Sequence, residues 1–137
     1  TKKINFKIGQ RDLDLFTSLD RCAMTARQLC RLSETFSTAF TDEDNLRRRL
    51  RTFVNANIVK KFPYAIASDG RTPSYYKLTR EGYRLLYGEN AAMPKRRYFE
   101  AISPGHHHHT NSLAELIVHL CVTAHQNDCR VVHFARE

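Results

Sequence analysis

The chain has 137 residues, of which 42% are hydrophobic, so it is long and apolar enough for about one domain with a buried core. Its formal net charge of +8 favours a polyanionic partner, nucleic acid first, with an anionic membrane surface or an acidic protein as alternatives. The sequence has no apolar run long enough to span a bilayer, and "TKKINFKIGQ" lacks the apolar segment of a secretory signal, so we expect a cytoplasmic protein.

Two short helices are predicted at the start of the chain. Residues 11–23, "RDLDLFTSLDRCA", carry an amphipathic stripe. Thr25 is a candidate N-cap for a second helix, "TARQLCRLSETF", which begins after a connection of one or two residues. The apolar residues of the two stripes are Leu15, Phe16, Leu19, Cys22, Leu29, Leu32 and Phe36.

A third helix is predicted from residue 41, in "TDEDNLRRRLRTFVNAN". Thr41 is the expected N-cap and Asp44 the expected capping-box acid, and the acids of this turn complement the helix dipole. The predicted buried stripe is Leu46, Leu50, Phe53 and Val54. Arg48, Arg51 and Asn55 point away from it, while Arg47 and Arg49 flank it, so we expect the arginines to face solvent or a partner.

A β-hairpin is predicted next, in "IVKKFPYAIASDGRTPSYYKLT". Two runs rich in β-branched and aromatic residues are joined by a turn that contains Asp69-Gly70 and Pro73. Thr79 then caps a short helix, "TREGYRLLYG", which Gly88 ends.

This order of elements predicts a mainly helical α+β protein with a winged helix-turn-helix over residues 8–88. Residues 41–57 take the place of the recognition helix, and the hairpin is the wing. The wing carries the basic residues Lys60, Lys61, Arg71 and Lys77, which we expect to reach phosphates or a minor groove.

The candidate DNA-binding residues lie on the third helix and the wing. Arg48 and Arg51 suit bidentate contacts with guanine, Asn55 suits adenine, and the wing cations suit phosphates. The acids of residues 42–44 count against insertion of the helix N-terminus, so we expect contact from the middle of the helix. The full predicted set is Arg47, Arg48, Arg51, Asn55, Lys60, Lys61, Arg71 and Lys77.

Residues 89–109 are predicted to form a basic, histidine-rich linker, because they contain "KRR", two prolines and the run from His106 to His109. Adjacent histidines in an extended loop cannot converge on one ion, so a metal site is not favoured. Residues 1–100 hold 20 Lys and Arg against 11 Asp and Glu (+9), and residues 101–137 hold 2 against 3 (−1). The basic character therefore belongs to the first hundred residues.

Residues 110–137 are predicted to form a helix and a strand. The helix starts at Thr110 or Asn111, with one apolar face of Leu113, Leu116, Ile117, Leu120 and Ala124, and with Val118 and Val122 on the other side. Two apolar faces need two partners. We therefore expect this segment to be either a dimerisation element of a homodimer or the start of a truncated second domain. We expect the native chain to continue past Glu137, because a lone terminal strand has little to pair with.

No pattern indicates catalysis or a cofactor. The sequence lacks a glycine-rich phosphate loop, a nucleophile elbow and an acid-base pair, so we expect a protein that is not an enzyme. The four cysteines form two pairs spaced eight apart, which favours reduced, mostly buried thiols. Two alternatives to DNA binding stay open: a winged-helix protein-interaction module, which the acids of residues 42–44 suit, and the DNA-targeting part of a longer nuclease.

The chain resembles the replication-relaxation family of plasmid and mobile-element proteins, whose N-terminal part is a winged helix. The resemblance runs through "RDLDLFTSLDRCAMTARQL", "NLRRRLRTFVNANIVKK" and "YYKLTREGYRLL" to "HTNSLAELIVHL", where His109 matches a family position. It implies DNA binding linked to plasmid replication control or transfer. The function we predict is duplex DNA binding in replication control, transfer or transcription regulation of a plasmid or mobile element, with a replication or transfer protein as a further candidate partner.

Overall fold

The computed structural model describes residues 5–66 and 72–131. Their elements follow in this order: α1 (Gln10–Arg21), β1 (Met24–Thr25), α2 (Ala26–Leu32), α3 (Glu43–Asn55), β2 (Val59–Pro63), β3 (Ser74–Leu78), α4 (Arg80–Tyr87) and α5 (His107–Gln126). Short 3-10 turns occupy Ser33–Thr35, Arg96–Phe99 and Pro104–His106. The three predicted N-terminal helices, the hairpin strands and the helix after them are therefore confirmed.

The first three helices pack around one core because each presents the apolar stripe that its periodicity predicts. The rings of Phe16 on α1 and Phe53 on α3 meet edge to face, with their centroids 4.9 Å apart. Phe36, expected in the second stripe, lies past the end of α2 and packs against the core from a half-buried position. The fully buried members of this core include Leu15, Phe16, Leu29, Leu46, Leu50 and Phe53.

The N-cap of α3 differs from the prediction. Asp42, not Thr41, is the N-cap, and its Oδ1 accepts a hydrogen bond of 2.8 Å from the backbone N–H of Asn45. Thr41 instead accepts from the side-chain amide of Asn45 at 2.6 Å. The predicted cap of α2 is confirmed, since Thr25 and Gln28 form a reciprocal capping box.

A third strand that the sequence did not predict completes the sheet. The sheet is antiparallel with the order β1-β3-β2, and β1 consists of two residues, Met24 and Thr25, which lie opposite Tyr76 and Tyr75. The hairpin strands pair from Val59 opposite Leu78 to Pro63 opposite Ser74. Three helices with a three-stranded sheet and a hairpin after the third helix make a winged helix-turn-helix. The predicted hairpin tip, at residues 67–71, lies outside the described residues.

The start of α4 is held against the connection between α3 and β2. Thr79 caps α4 through Gly82 N–H, and its hydroxyl and backbone N–H also donate to carbonyls of that connection. A Cβ on Gly82 would lie 2.2 Å from the carbonyl oxygen of Ile58. Glycine is therefore required at this point for α4 to reach the sheet.

The C-terminal helix starts earlier than predicted, and both of its apolar faces contribute to the core. It begins at His107 rather than at residue 110 or 111. Ala114, Val118 and Val122 are buried in the core of the winged helix, whereas Leu116 and Leu120 are 54% and 42% exposed. Of the other predicted face, Ile117 is buried in the same core and Leu113 packs against it, so residues of both predicted apolar faces contribute to the core.

The predicted linker before α5 contains short helical turns, and the strand predicted after α5 is not seen at residues 129–131. The predicted linker contains two of the 3-10 turns, and Phe99 within it is buried. Residues 129–131 form no strand, and the rest of the predicted terminal strand, residues 132–137, lies outside the described residues. No helix in the described part of the chain is long and apolar enough to cross a membrane.

Candidate nucleic-acid interface

The outer side of α3 carries two arginines that face solvent. At 100° per residue, Asp44, Arg48, Arg51 and Asn55 lie opposite the buried stripe, and all four are exposed. Arg48 and Arg51 form no salt bridge with any residue in the described ranges. Their guanidinium groups are therefore available to an anionic partner.

Arg47, the third predicted arginine, forms a salt bridge with Glu43. Its Nη2 lies 3.1 Å from a carboxylate oxygen of Glu43, one turn earlier on α3, and the two side chains are 51% and 38% exposed. An exposed pair at this spacing contributes about 0.3–0.5 kcal/mol. Arg47 can thus exchange Glu43 for a phosphate at small cost.

The acids at the start of α3 have local roles that the sequence did not separate. Asp42 caps the helix, and Glu43 pairs with Arg47. Asp44 shares the outer stripe with Arg48, one turn nearer the helix N-terminus. The negative charge that faces a partner is therefore concentrated at one end of the stripe, away from Arg51 and Asn55.

Arg49 differs from Arg47 and Arg48 because its side chain is partly buried at the edge of the core. Its guanidinium donates to both oxygens of Asp12 at 3.0 and 2.7 Å and to the carbonyl of Lys7 at 3.0 Å. It also lies over the rings of Phe53 and Phe6, at 4.9 and 5.2 Å from their centroids. The expectation that all the arginines of α3 face solvent or a partner is thus wrong for Arg49.

The ion pair with Arg49 helps to keep the carboxyl group of Asp12 ionised. Burial by itself raises the pKa of Asp12, but the hydrogen bonds from Arg49 and from Gly9 N–H and the charges of Arg49 and Arg11 outweigh it, so the pKa lies below its usual value. The same hydrogen bond raises the pKa of Arg49. Asp12 therefore stays ionised and anchors α3 to α1.

The pleat of the wing places its predicted cations on two opposite faces. Lys61 lies opposite Tyr76 on the face whose side chains meet α3. Burial raises the pKa of Tyr76, and the charges of Arg47 and Arg51 act against it, which places that phenol beside the arginines of α3. Lys61 therefore shares a side of the molecule with them.

Lys60 and Lys77 lie opposite each other on the second face of the sheet. The Lys60 ammonium is 5.2 Å from the centroid of the Phe62 ring. The Lys77 ammonium donates to the backbone carbonyls of Glu100 and Arg97, at 2.7 and 3.5 Å. These two lysines therefore stand apart from the arginines of α3.

The structure thus brings together part of the predicted set. We define the arginine surface as Arg47, Arg48, Arg51 and Asn55 of α3 together with Lys61 of β2. Both tyrosines of β3 are buried, Tyr75 on one face of the sheet and Tyr76 on the other. Arg71 lies outside the described residues.

One histidine of the run has a structural role that the sequence did not single out. His107 is buried, whereas His106, His108 and His109 are exposed. Its Nδ1 accepts from the backbone N–H of Ala65 at 2.8 Å, so its Nε2 carries the proton that it donates to the carbonyl of Ile102 at 2.8 Å.

This histidine links the wing to the C-terminal helix. Ala65 follows β2, and the His107 ring packs edge-on against the rings of Tyr64 and Tyr75. The Tyr75 hydroxyl in turn accepts from Ile102 N–H at 2.8 Å. In the sequence, four identical neighbours hid which histidine was buried; the available signal was the spacing of His107 from Ala114 and Val118, which places the three on one helical face.

A second connection ties α5 to the helix-turn-helix. The side-chain amide of the buried Gln28 on α2 donates to Asn111 at 2.9 Å and to Glu115 at 2.8 Å. With the contacts of His107, it holds α5 against both the helices and the wing. Any surface that α5 exposes therefore has a fixed orientation relative to α3.

No three His, Cys, Asp or Glu side chains within residues 5–66 and 72–131 are grouped so that they could hold a metal ion. The four cysteines are free thiols: Cys22 and Cys121 are buried, Cys30 is half-buried and Cys129 is exposed. Burial raises the pKa of Cys121.

Comparisons with known proteins identify one family. The family model described as replication-relaxation matches residues 18–134. No curated protein matches the chain significantly. The crystal structure of Bacillus subtilis PadR in complex with operator DNA is similar, with a TM-score of 0.49 and 11% sequence identity over 84% of this chain. The match spans 61% of the PadR chain.

Proposed function

The chain belongs to the replication-relaxation family, and on that premise we propose that it is a non-enzymatic cytoplasmic protein that binds duplex DNA. Its role is in replication control, transfer or transcription regulation of a plasmid or mobile element. The observation that carries the proposal is the pair Arg48 and Arg51, exposed and without a salt bridge to any described residue, on the outer stripe of the third helix of a winged helix-turn-helix.

The side chains of this stripe are those that read base edges. Arginine donates two parallel hydrogen bonds to guanine O6 and N7, and asparagine pairs with adenine N6 and N7 in the same way. Arg48, Arg51 and Asn55 follow one another at spacings of three and four along α3, so a major groove that accepts the helix would meet all three.

Phosphate contacts supply most of the affinity in this proposal. Arg47 and Lys61 flank the stripe on the wing side, where they suit the backbone beside the groove. Asp44 repels phosphate near the N-terminus of α3, which favours contact through the middle of the helix. The predicted wing contacts of Lys60, Lys77 and Arg71 belong to the same proposal.

A homodimer suits the exposed leucines of α5. Leu116 and Leu120 lie one turn apart and are 54% and 42% exposed, and a two-fold pair of such helices would cover them. Two copies would then read half-sites about one helical turn apart, about 10 base pairs. Sedimentation equilibrium of the wild type and of Leu116→Lys/Leu120→Lys tests this, and a wild type that stays monomeric at high concentration would refute it.

A protein-interaction module is the second candidate, and a different surface favours it. Leu85 and Tyr87 of α4 are 37% and 50% exposed, on a side of the domain that the arginine surface does not include. In that case the arginine surface would only add solubility, and its removal would leave partner binding unchanged.

The deciding experiment is duplex DNA affinity across a salt series. The wild type is compared with Arg48→Ala/Arg51→Ala and with a control of equal charge change, Lys7→Ala/Arg130→Ala, whose exposed residues lie outside the arginine surface. With about five or six phosphates neutralised, the log-log slope should be about −4 to −6, and only the α3 variant should lose most of the affinity.

Two results would contradict the proposal. One is wild-type binding no tighter than about 10⁻⁴ M at physiological salt, the weak end of non-specific association. The other is an equal loss of affinity in the α3 variant and the control, because the arginine surface would then act only through the net charge of the chain.

A further inference from the structure

A second group of exposed cations lies away from α3. Lys95, Arg96 and Arg97, here called the linker cations, follow Pro94, and all three are exposed. Arg96 and Arg97 begin the 3-10 turn Arg96–Phe99. The next two residues, Tyr98 and Phe99, point into the protein, so the turn has a charged outer side and an aromatic inner side.

The aromatic side fixes the turn to α1 and α4. The Tyr98 hydroxyl donates to the carboxylate of Asp20. The buried Phe99 ring lies edge-on to Tyr83, and the Arg80 guanidinium lies 4.7 Å from its centroid. The linker cations therefore stand on a turn that is held in place rather than on a free tether.

The end of the turn is also held to the wing. The Lys77 ammonium donates to the carbonyl of Glu100 at 2.7 Å, and Lys77 lies opposite Lys60 on the second face of the sheet. We define the back surface as Lys60, Lys77 and the linker cations. Lys60 and Lys77 project from the face of the sheet opposite to that of Lys61 in the arginine surface.

In the described part of the chain, carboxylates only partly neutralise the linker cations. Glu100 pairs with Arg96 at 2.6 Å, and Arg96 remains 85% exposed. Asp20 is occupied by the hydroxyls of Tyr98 and Tyr87. Like charges that face each other across strands, as Lys60 and Lys77 do, oppose folding, so an anionic partner would relieve the repulsion.

We propose that the back surface binds the phosphate backbone of duplex DNA that continues past the wing, as a contact separate from the arginine surface. A linear polyanion suits cations that are spread over two strands and a turn, and phosphate contacts need charge at the surface rather than a shaped pocket. The inference rests on the proposed function, because the same duplex occupies the arginine surface.

The test uses the full chain and a labelled random-sequence duplex of about 30 base pairs, three helical turns. Arg96→Ala/Arg97→Ala is compared with the wild type and with Lys7→Ala/Arg130→Ala, which removes the same charge from sites outside both surfaces. Glu100→Gln removes the acid that pairs with Arg96, so it raises the net positive charge where the Arg96/Arg97 variant lowers it. Thermal unfolding of each variant checks that it is folded.

The expected result is a log-log salt slope smaller by about 2 in the Arg96/Arg97 variant, with affinity reduced about equally for all sequences. Glu100→Gln should bind more tightly than the wild type, and the control should keep the wild-type slope. An Arg96/Arg97 slope equal to that of the wild type would overturn this inference alone, provided that Arg48→Ala/Arg51→Ala still weakens binding. If the wild type binds no duplex, the proposed function itself fails.

Discussion

Adjacent arginines on α3 should respond to mutation in opposite ways. Arg48→Ala removes an exposed side chain with no salt bridge to any described residue. Such surface changes usually alter stability by less than about 0.5 kcal/mol. If Arg48 contacts a guanine, its loss should weaken DNA binding by about 1–3 kcal/mol, roughly 5- to 150-fold.

Arg49→Ala should do the reverse. It leaves the Asp12 side chain, which is 6% exposed, without its two guanidinium hydrogen bonds. Breaking a buried ion pair from one side costs about 3–5 kcal/mol, and the 24% exposure of Arg49 places this pair at the lower end, about 3 kcal/mol. At about 4 °C per kcal/mol for a chain of this size, Tm should fall by about 12 °C.

Two assays separate the effects. Circular dichroism on heating gives Tm, and fluorescence anisotropy well below either Tm gives the duplex affinity of the folded protein. The reasoning would be refuted if Arg49→Ala melted with the wild type, or if it weakened binding as much as Arg48→Ala while still fully folded. Either outcome would mean that Asp12 does not hold Arg49 away from the partner.

Two further predictions concern the framework. Gly82→Ala should destabilise the protein by about 1–3 kcal/mol or more, because its Cβ would lie 2.2 Å from the Ile58 carbonyl oxygen. Urea unfolding measures this loss of stability. The control is Gly105→Ala, whose Cβ would meet nothing within 4 Å. The pKa of Asp12 is lowered by folding, so its stabilisation is present above the unfolded value near 3.8 and is lost as the pH falls through the folded value. Urea midpoints between about pH 5 and pH 2 should therefore fall less steeply for Asp12→Asn than for the wild type, and equal slopes would contradict the assignment.

Local pattern was sufficient for the elements whose apolar spacing or capping residues lie close together in the chain. The stripes of α1 and α3 and the Thr25 and Thr79 caps were predicted from sequence and are present. The cap of α3 was misassigned by one residue, because Thr41 and Asp42 are both good capping residues and only the geometry of the turn separates them.

Long-range contacts account for most of what the sequence could not predict. The two residues of β1 form a strand because β3 pairs with them about fifty positions later. Arg49 resembles Arg48 in the sequence, and what distinguishes it is a carboxylate 37 positions away. Two apolar faces were predicted for α5, and which residues of each face are buried depends on where Gln28 and the wing hold the helix.

The residues that hold α3 in place differ from those that it exposes to solvent, and this difference bears on how such a protein can change during evolution. Leu46, Leu50 and Phe53 hold the helix from beneath, and Arg49 fastens it to α1. Arg48 and Arg51 are exposed and are not among the residues that hold the helix in place. A lineage could therefore replace those two arginines without first acquiring compensating mutations in the core. If the two arginines read DNA as proposed, new specificities would be reachable by single steps through stable intermediates.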